Sequence, residues 1–189
     1  MLSEPPKGKT ETVGRRDLRL KLALERICGR SLERDQFTSK AMQDGLDRED
    51  DARAAYELAT GNVVYTTGFL AHDTLQAGAS LDGHLGEFDE LVSIKCRQWA
   101  AHWDCVQDGK IPKAALDQMR HELWLTGATA HHYVSWNPDF PPELQLRVKT
   151  LKASDLELSA YSLAAKLFLN EVEAQVVAMN ALRGEAVPA

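Results

Sequence analysis

No apolar run in the sequence is long enough to span a bilayer, and the opening residues, MLSEPPKGKTE, contain no apolar stretch of the kind a secretory signal needs. Cysteine is scarce. Cys28, Cys96 and Cys105 are scattered, odd in number and form no C-x-x-C pair. That argues against a zinc knuckle and a disulfide framework, and for a reducing cytoplasm. Positive charge is not in excess either. A net charge of −6 argues against a protein that coats nucleic acid without selectivity, yet leaves room for a local basic track. There is no internal repeat and no low-complexity tract.

A length of 189 residues suits one domain with a substantial core, and 44% hydrophobic with 26% charged residues is ordinary for a soluble globular chain. Residues 1–12 are rich in Pro, Gly and Lys and read as a flexible segment, leaving 13–189 as a single domain. Residues 15–34 carry Arg15, Arg16, Arg19, Lys21, Arg26, Arg30 and Arg34 against Asp17, Glu25 and Glu33. This is a locally basic stretch, either a DNA track or a solvated helix face. Apolar spacing predicts a helix over 15–28 with Gly29 as its stop, and another over 39–59 capped by Thr38 or Ser39 and ended by Gly61. Val63, Val64, Thr66 and Thr67 predict a strand over 62–70. Further helices are expected at 98–107 and 113–125. Strands are expected at 133–136 and 144–148, and a capping box at Ser154–Glu157 opens a last helix to about 182.

The stretch Gly78–Cys96, GASLDGHLGEFDELVSIKC, reads as two short strands. The first runs into Asp82, Gly83 permits a tight bend, and the second is Glu90–Cys96. Alternation puts Leu91, Ser93 and Lys95 on one face. A core-facing lysine needs an acid or a phosphate beside it, and Asp82 is at hand. Asp, a spacer of about ten residues, then an acid-x-Lys triplet is the pattern of the PD-(D/E)xK nucleases. There, carboxylates hold a divalent ion and the Lys supplies positive charge near the reacting phosphate.

The helix over 39–59 holds a second anomaly. Met42, Gly45, Glu49, Ala52, Tyr56 and Ala59 trace one inward stripe with a carboxylate in it. Glu49 either pairs with Arg53 one turn on, or approaches the sheet as a metal ligand. His72 and His84 are weaker ligand candidates, with no third His at ligand spacing.

These segments together resemble the phage-type exonucleases, the group of the phage lambda exonuclease and the YqaJ-type viral recombinase nucleases. The resemblance rests on Ala79-Ser80-Leu81-Asp82-Gly83, Leu91-Val92-Ser93-Ile94-Lys95-Cys96, and Ser39-Lys40-Ala41-Met42 with Gly45, Glu49, Ala52-Arg53 and Tyr56-Glu57. Gln118 and Trp136-Asn137-Pro138 extend it. It implies an α/β fold with a central mixed sheet flanked by helices, like that of restriction endonucleases. It implies an exonuclease dependent on Mg2+ or Mn2+ that degrades one strand at double-stranded DNA ends. Glu49, Asp82 and the Ile94 carbonyl would be metal ligands. Lys95 and Gln118 would complete the catalytic set, and Ser80, Arg53 and Ser93 would lie along the substrate. A phage single-strand annealing protein as partner, a ring-like homo-trimer and the cytoplasm of a bacterial host follow from the same likeness.

The chain departs from the pattern at Leu81 and Arg97, where the family has Pro, and at Ser93, where it has a metal-binding Glu. An N-terminal segment of the family that grips the 5′ phosphate is not expected here. A hydroxyl is a poor substitute for an ionised ligand. The sequence therefore predicts weak metal binding and low or absent activity, with Glu122 a speculative replacement. The alternative is a catalytically inactive module that binds DNA ends or a recombination partner.

Overall fold

The computed structural model describes residues 11–32 and 48–184. In chain order the elements are α1 (Val13–Cys28), α2 (Glu49–Thr60), β1 (Phe69–Ala71), β2 (Gly78–Ser80), β3 (Gly83–Leu85), β4 (Glu90–Cys96), α3 (Trp99–Asp108), α4 (Lys113–Thr126), β5 (Ala130–Trp136), β6 (Leu146–Lys152) and α5 (Leu158–Arg183). They fall into two compact units, parted between residues 37 and 38 and between 158 and 159. The expected cap at Thr38 or Ser39, and Met42 and Gly45 of the stripe, lie outside the described residues.

The larger unit is built on a four-stranded mixed sheet in the order β3-β4-β5-β6. The outer pairs are antiparallel and the central β4–β5 pair is parallel. A parallel pair needs a crossover, and α3 with α4 supplies it. Both faces of β4 are covered, so Leu91, Val92, Ser93 and Ile94 are buried in succession. On one face Val92, Ile94, Val134 and Trp136 pack with Ala52 and Tyr56 of α2. The opposite face takes α3 and α4, through Cys105, Ala115, Met119 and Tyr133. Leu81 and Leu91 meet Leu123 of α4 on that side. This is the expected mixed sheet flanked by helices.

Several expectations need correction. Residues 62–70 do not form one strand. Tyr65 exchanges a single pair of backbone hydrogen bonds with His84, both 2.9 Å, and pairing resumes only at β1, against β2. Gly83 is not the hairpin bend. It opens β3, where a Cβ would collide with the Val64 side chain, and the turn is Gly86–Asp89. That turn holds Gly86 at φ 55° and Phe88 at φ 68°, the latter unusual for a residue with a Cβ. β5 and β6 are longer than expected, because the two strands stay paired from Trp136↔Leu146 to Ala130↔Lys152. Ser154 does not cap α5. It lies in a 3-10 turn, its hydroxyl donating to the Asp155 carboxylate, and the helix begins at Leu158.

The smaller unit contains α1 and most of α5. Thr12 caps α1 by accepting the Arg15 N–H, and Gly29 ends it at φ 62°. Ala23 packs with Phe168 and Val172. Part of the basic run is neutralised within this unit, and Arg34 lies outside the described residues. Arg15 grips Glu171 with both arms of its guanidinium, at 2.7 and 2.8 Å, Arg19 pairs with Glu11, and Arg26 with Glu173. Those hydrogen bonds hold the Glu171 carboxyl below its ordinary range.

Candidate active site

The site gathers where β4 leaves the core. Asp82 follows the β2 strand on the outward side, and its Oδ2 accepts from the Lys95 ammonium at 2.8 Å and from the Ile94 backbone N–H at 3.0 Å. A charge-assisted bond and a backbone anchor on one oxygen fix that carboxylate while leaving its other oxygen available. Both side chains stay in contact with water, at 21% and 25% exposure. The Ile94 side chain is buried on the α2 face.

Glu49 is the first residue of α2. Its Oε1 accepts from Arg53 at 3.2 Å, and Arg53 also holds Asp50. The expected Arg53 pairing is therefore present, yet it does not account for Glu49 alone. Burial raises the Glu49 carboxyl pKa, and the Asp82 charge raises it further, against Arg53 and Lys95, which lower it. The Asp82 charge thus bears on Glu49, and Lys95 lies alongside Asp82. The thiol of Cys96 is pushed up to about 11, first by burial and then by the Glu49 charge. Arg53 Nε is buried with no hydrogen-bond partner.

Ser93 points elsewhere. It is 1% exposed, and its Oγ lies 3.5 Å from His131 Nε2. The same nitrogen lies 2.6 Å from Glu122 Oε2, while Glu122 Oε1 accepts from the Gln118 amide at 2.7 Å. Gln118, Glu122, His131 and Ser93 thus form one polar lane inside the α4 side of the sheet. It resembles a Ser-His-Glu nucleophilic triad but does not have that geometry. Both contacts fall on one ring nitrogen, His131 Nδ1 has no partner, and the hydroxyl is sealed from solvent.

The donor set suits an oxygen-preferring divalent ion through two carboxylates, whose mutual repulsion a cation would relieve. It goes no further. Among the described residues no group of three or more His, Cys, Asp and Glu is placed to hold a metal. Glu122 is accordingly not gathered with Glu49 and Asp82. Ser80 is exposed on the outward side of β2. His72 accepts the backbone N–H groups of Thr74 and Leu75 through Nδ1, and His84 bonds the Gly86 carbonyl and stacks on Phe88, so both rings are engaged locally.

Two features escaped the sequence reading. His131 was legible only as an ionisable residue in the inward set of β5, with Tyr133 and Ser135. His102 is fully buried, one ring nitrogen at 2.8 Å from Ser135 Oγ and the other at 2.7 Å from the Leu144 carbonyl. It ties α3 to the sheet.

Residues 13–129 match the model of the YqaJ-like viral recombinase domain. No curated protein matches the chain. Solved structures do. The alkaline exonuclease LHK-Exo from Laribacter hongkongensis is 26% identical with a TM-score of 0.82, the match covering 93% of this chain and 88% of that one. LHK-Exo in complex with dAMP matches at 27% identity and a TM-score of 0.81, with the same coverage. A phage related exonuclease from Haemophilus somnus 129PT shares the fold, with a TM-score of 0.69 at 13% identity over 93% of this chain and 91% of that one.

Proposed function

This chain belongs to the YqaJ-like viral recombinase domain family, and on that footing we propose that it is a phage-type exonuclease hydrolysing one strand at the ends of duplex DNA for recombination. One observation carries the reading most: the Lys95 ammonium and the Ile94 N–H both meet Asp82 Oδ2, at 2.8 and 3.0 Å, where the Asp82 charge also bears on Glu49. In this reading residues 13–189 act as one nuclease-like domain.

Glu49, Asp82 and the Ile94 carbonyl would hold Mg2+ or Mn2+. The ion, when bound, polarises the phosphodiester and lowers the pKa of a water. Lys95 holds the Asp82 carboxylate in place and puts positive charge beside the scissile phosphate. Gln118 is the neutral hydrogen-bonding member of the set. Ser80 and Arg53 contact the DNA backbone. Ser93 faces His131 and contributes no ligand, so the ion is held weakly and turnover is low. A phage single-strand annealing protein as partner, a homo-trimeric state and a bacterial cytoplasmic setting belong to the same proposal. That LHK-Exo binds dAMP supports a nucleotide-binding role here.

The neutral Ser93 favours a second reading, a DNA-end or partner-binding module without catalysis. Digestion of 5′-phosphorylated duplex DNA with Mg2+ or Mn2+ separates the two. Slow release of nucleotides that disappears in Asp82→Asn supports the nuclease; binding of ends with no release under either ion supports the module. Absence of both overturns the function.

A further inference from the structure

β1 and β2 form a two-stranded ribbon with one buried face and one open face. Leu70 and Ala79 pack inward against the Leu81–Leu91 cluster. On the open face Phe69 stands directly across from Ser80. Its ring is 68% exposed, an unusual state for a phenylalanine in a paired strand. The ring lies over Gly78, and a Cβ at Gly78 would collide with it. Glycine there leaves room for the tip of the ring, Cζ and Cε1, while most of the residue stays open to solvent.

The position of that ring matters. Phe69 pairs with the exposed Ser80, and Asp82 follows two residues on in the chain.

We propose that Phe69 is a stacking platform for one unpaired nucleobase of the DNA strand whose backbone passes Asp82 and Lys95. The proposal rests on the nuclease reading above. A flat, exposed ring beside a phosphate-handling site is the means by which single strands are held without sequence preference, since every base has a π-face. A duplex end frays more readily than its interior, so a platform next to the site would hold the strand after each nucleotide is removed. The same ring could instead serve only to cover the glycine, and the test separates the two roles.

The test is binding of the full chain to a fluorescent duplex with a short single-stranded overhang, measured by anisotropy in EDTA so that cleavage plays no part. Phe69→Leu keeps apolar cover over Gly78 and removes the ring, whereas Phe69→Trp enlarges the ring. Phe69→Leu should lose about tenfold in affinity, and Phe69→Trp should match the parent or exceed it. An abasic residue stepped along the overhang should weaken the parent at one position. Phe69→Leu should be indifferent there. Equal affinity of Phe69→Leu and the parent, or identical abasic profiles, overturns the platform while leaving end binding and the nuclease reading intact. If the parent chain fails to bind DNA ends at all, the nuclease reading falls with it.

Discussion

Glu122 and His131 face each other inside the core, carboxylate oxygen to ring nitrogen at 2.6 Å, on the face of the sheet that also carries Ser93. Ser93 thus opens onto a buried acid and its histidine. Four expectations follow from this pair and from the acids across the strand.

Glu122 satisfies two donors, one from Gln118 and one from His131. Glu122→Ala strands the buried His131 and takes the acceptor from the half-buried Gln118. Each unsatisfied buried group costs about 1–3 kcal/mol. Urea denaturation should show a loss in that range or above it, whereas Glu122→Gln, which keeps one acceptor oxygen, should lose less.

Introducing an acid by Ser93→Glu should not by itself strengthen metal binding. The longer side chain must enter a packed space, at about 1–3 kcal/mol, and it brings a second carboxylate toward Glu122. The single variant should unfold earlier in urea. Pairing it with Glu122→Gln should recover stability beyond additivity and raise Mn2+ affinity in calorimetry. Simple additivity would show that the two positions do not communicate.

Asp82 and Lys95 should be needed for any hydrolysis. Lys95→Ala removes charge stabilisation near the phosphate and should lower the rate about 100-fold or more. Asp82→Asn should abolish both the rate and the heat of Mn2+ binding. Single-turnover digestion and calorimetry check the two effects separately.

Glu49 gives a pH signature. Burial first, and the Asp82 charge second, raise its carboxyl above the ordinary 4.5. The folded state therefore holds that proton more tightly than the unfolded chain does. Its contribution to stability is fully present below about 4.5 and is lost as pH rises through the raised folded value. In EDTA, the stability of the parent relative to Glu49→Gln should fall over that rise. Asp82→Asn, which removes the second cause, should flatten the change.

Much of the site could be read from the chain because its logic is local. The alternation of β4 put Lys95 and Ser93 on one face, and a lysine there needs an acid such as Asp82. The stripe through Glu49, Ala52 and Tyr56 put a carboxylate on the face of α2 that meets the sheet. The expected helix stops at Gly29 and Gly61 coincide with left-handed backbone. The hairpin bend was misplaced because Gly83 serves a tight approach to Val64, a contact between distant segments that no local spacing reveals.

By itself, the order of residues determined the mixed α/β pattern, the Asp82–Lys95 pair and the inward side of Ser93, since period, spacing and charge are carried along the chain. Tertiary structure alone decided what Ser93 meets. His131 reaches it from a neighbouring strand and Glu122 from the crossover helix. Nothing in either segment specifies that partnership until sheet register and helix packing bring them within hydrogen-bond range.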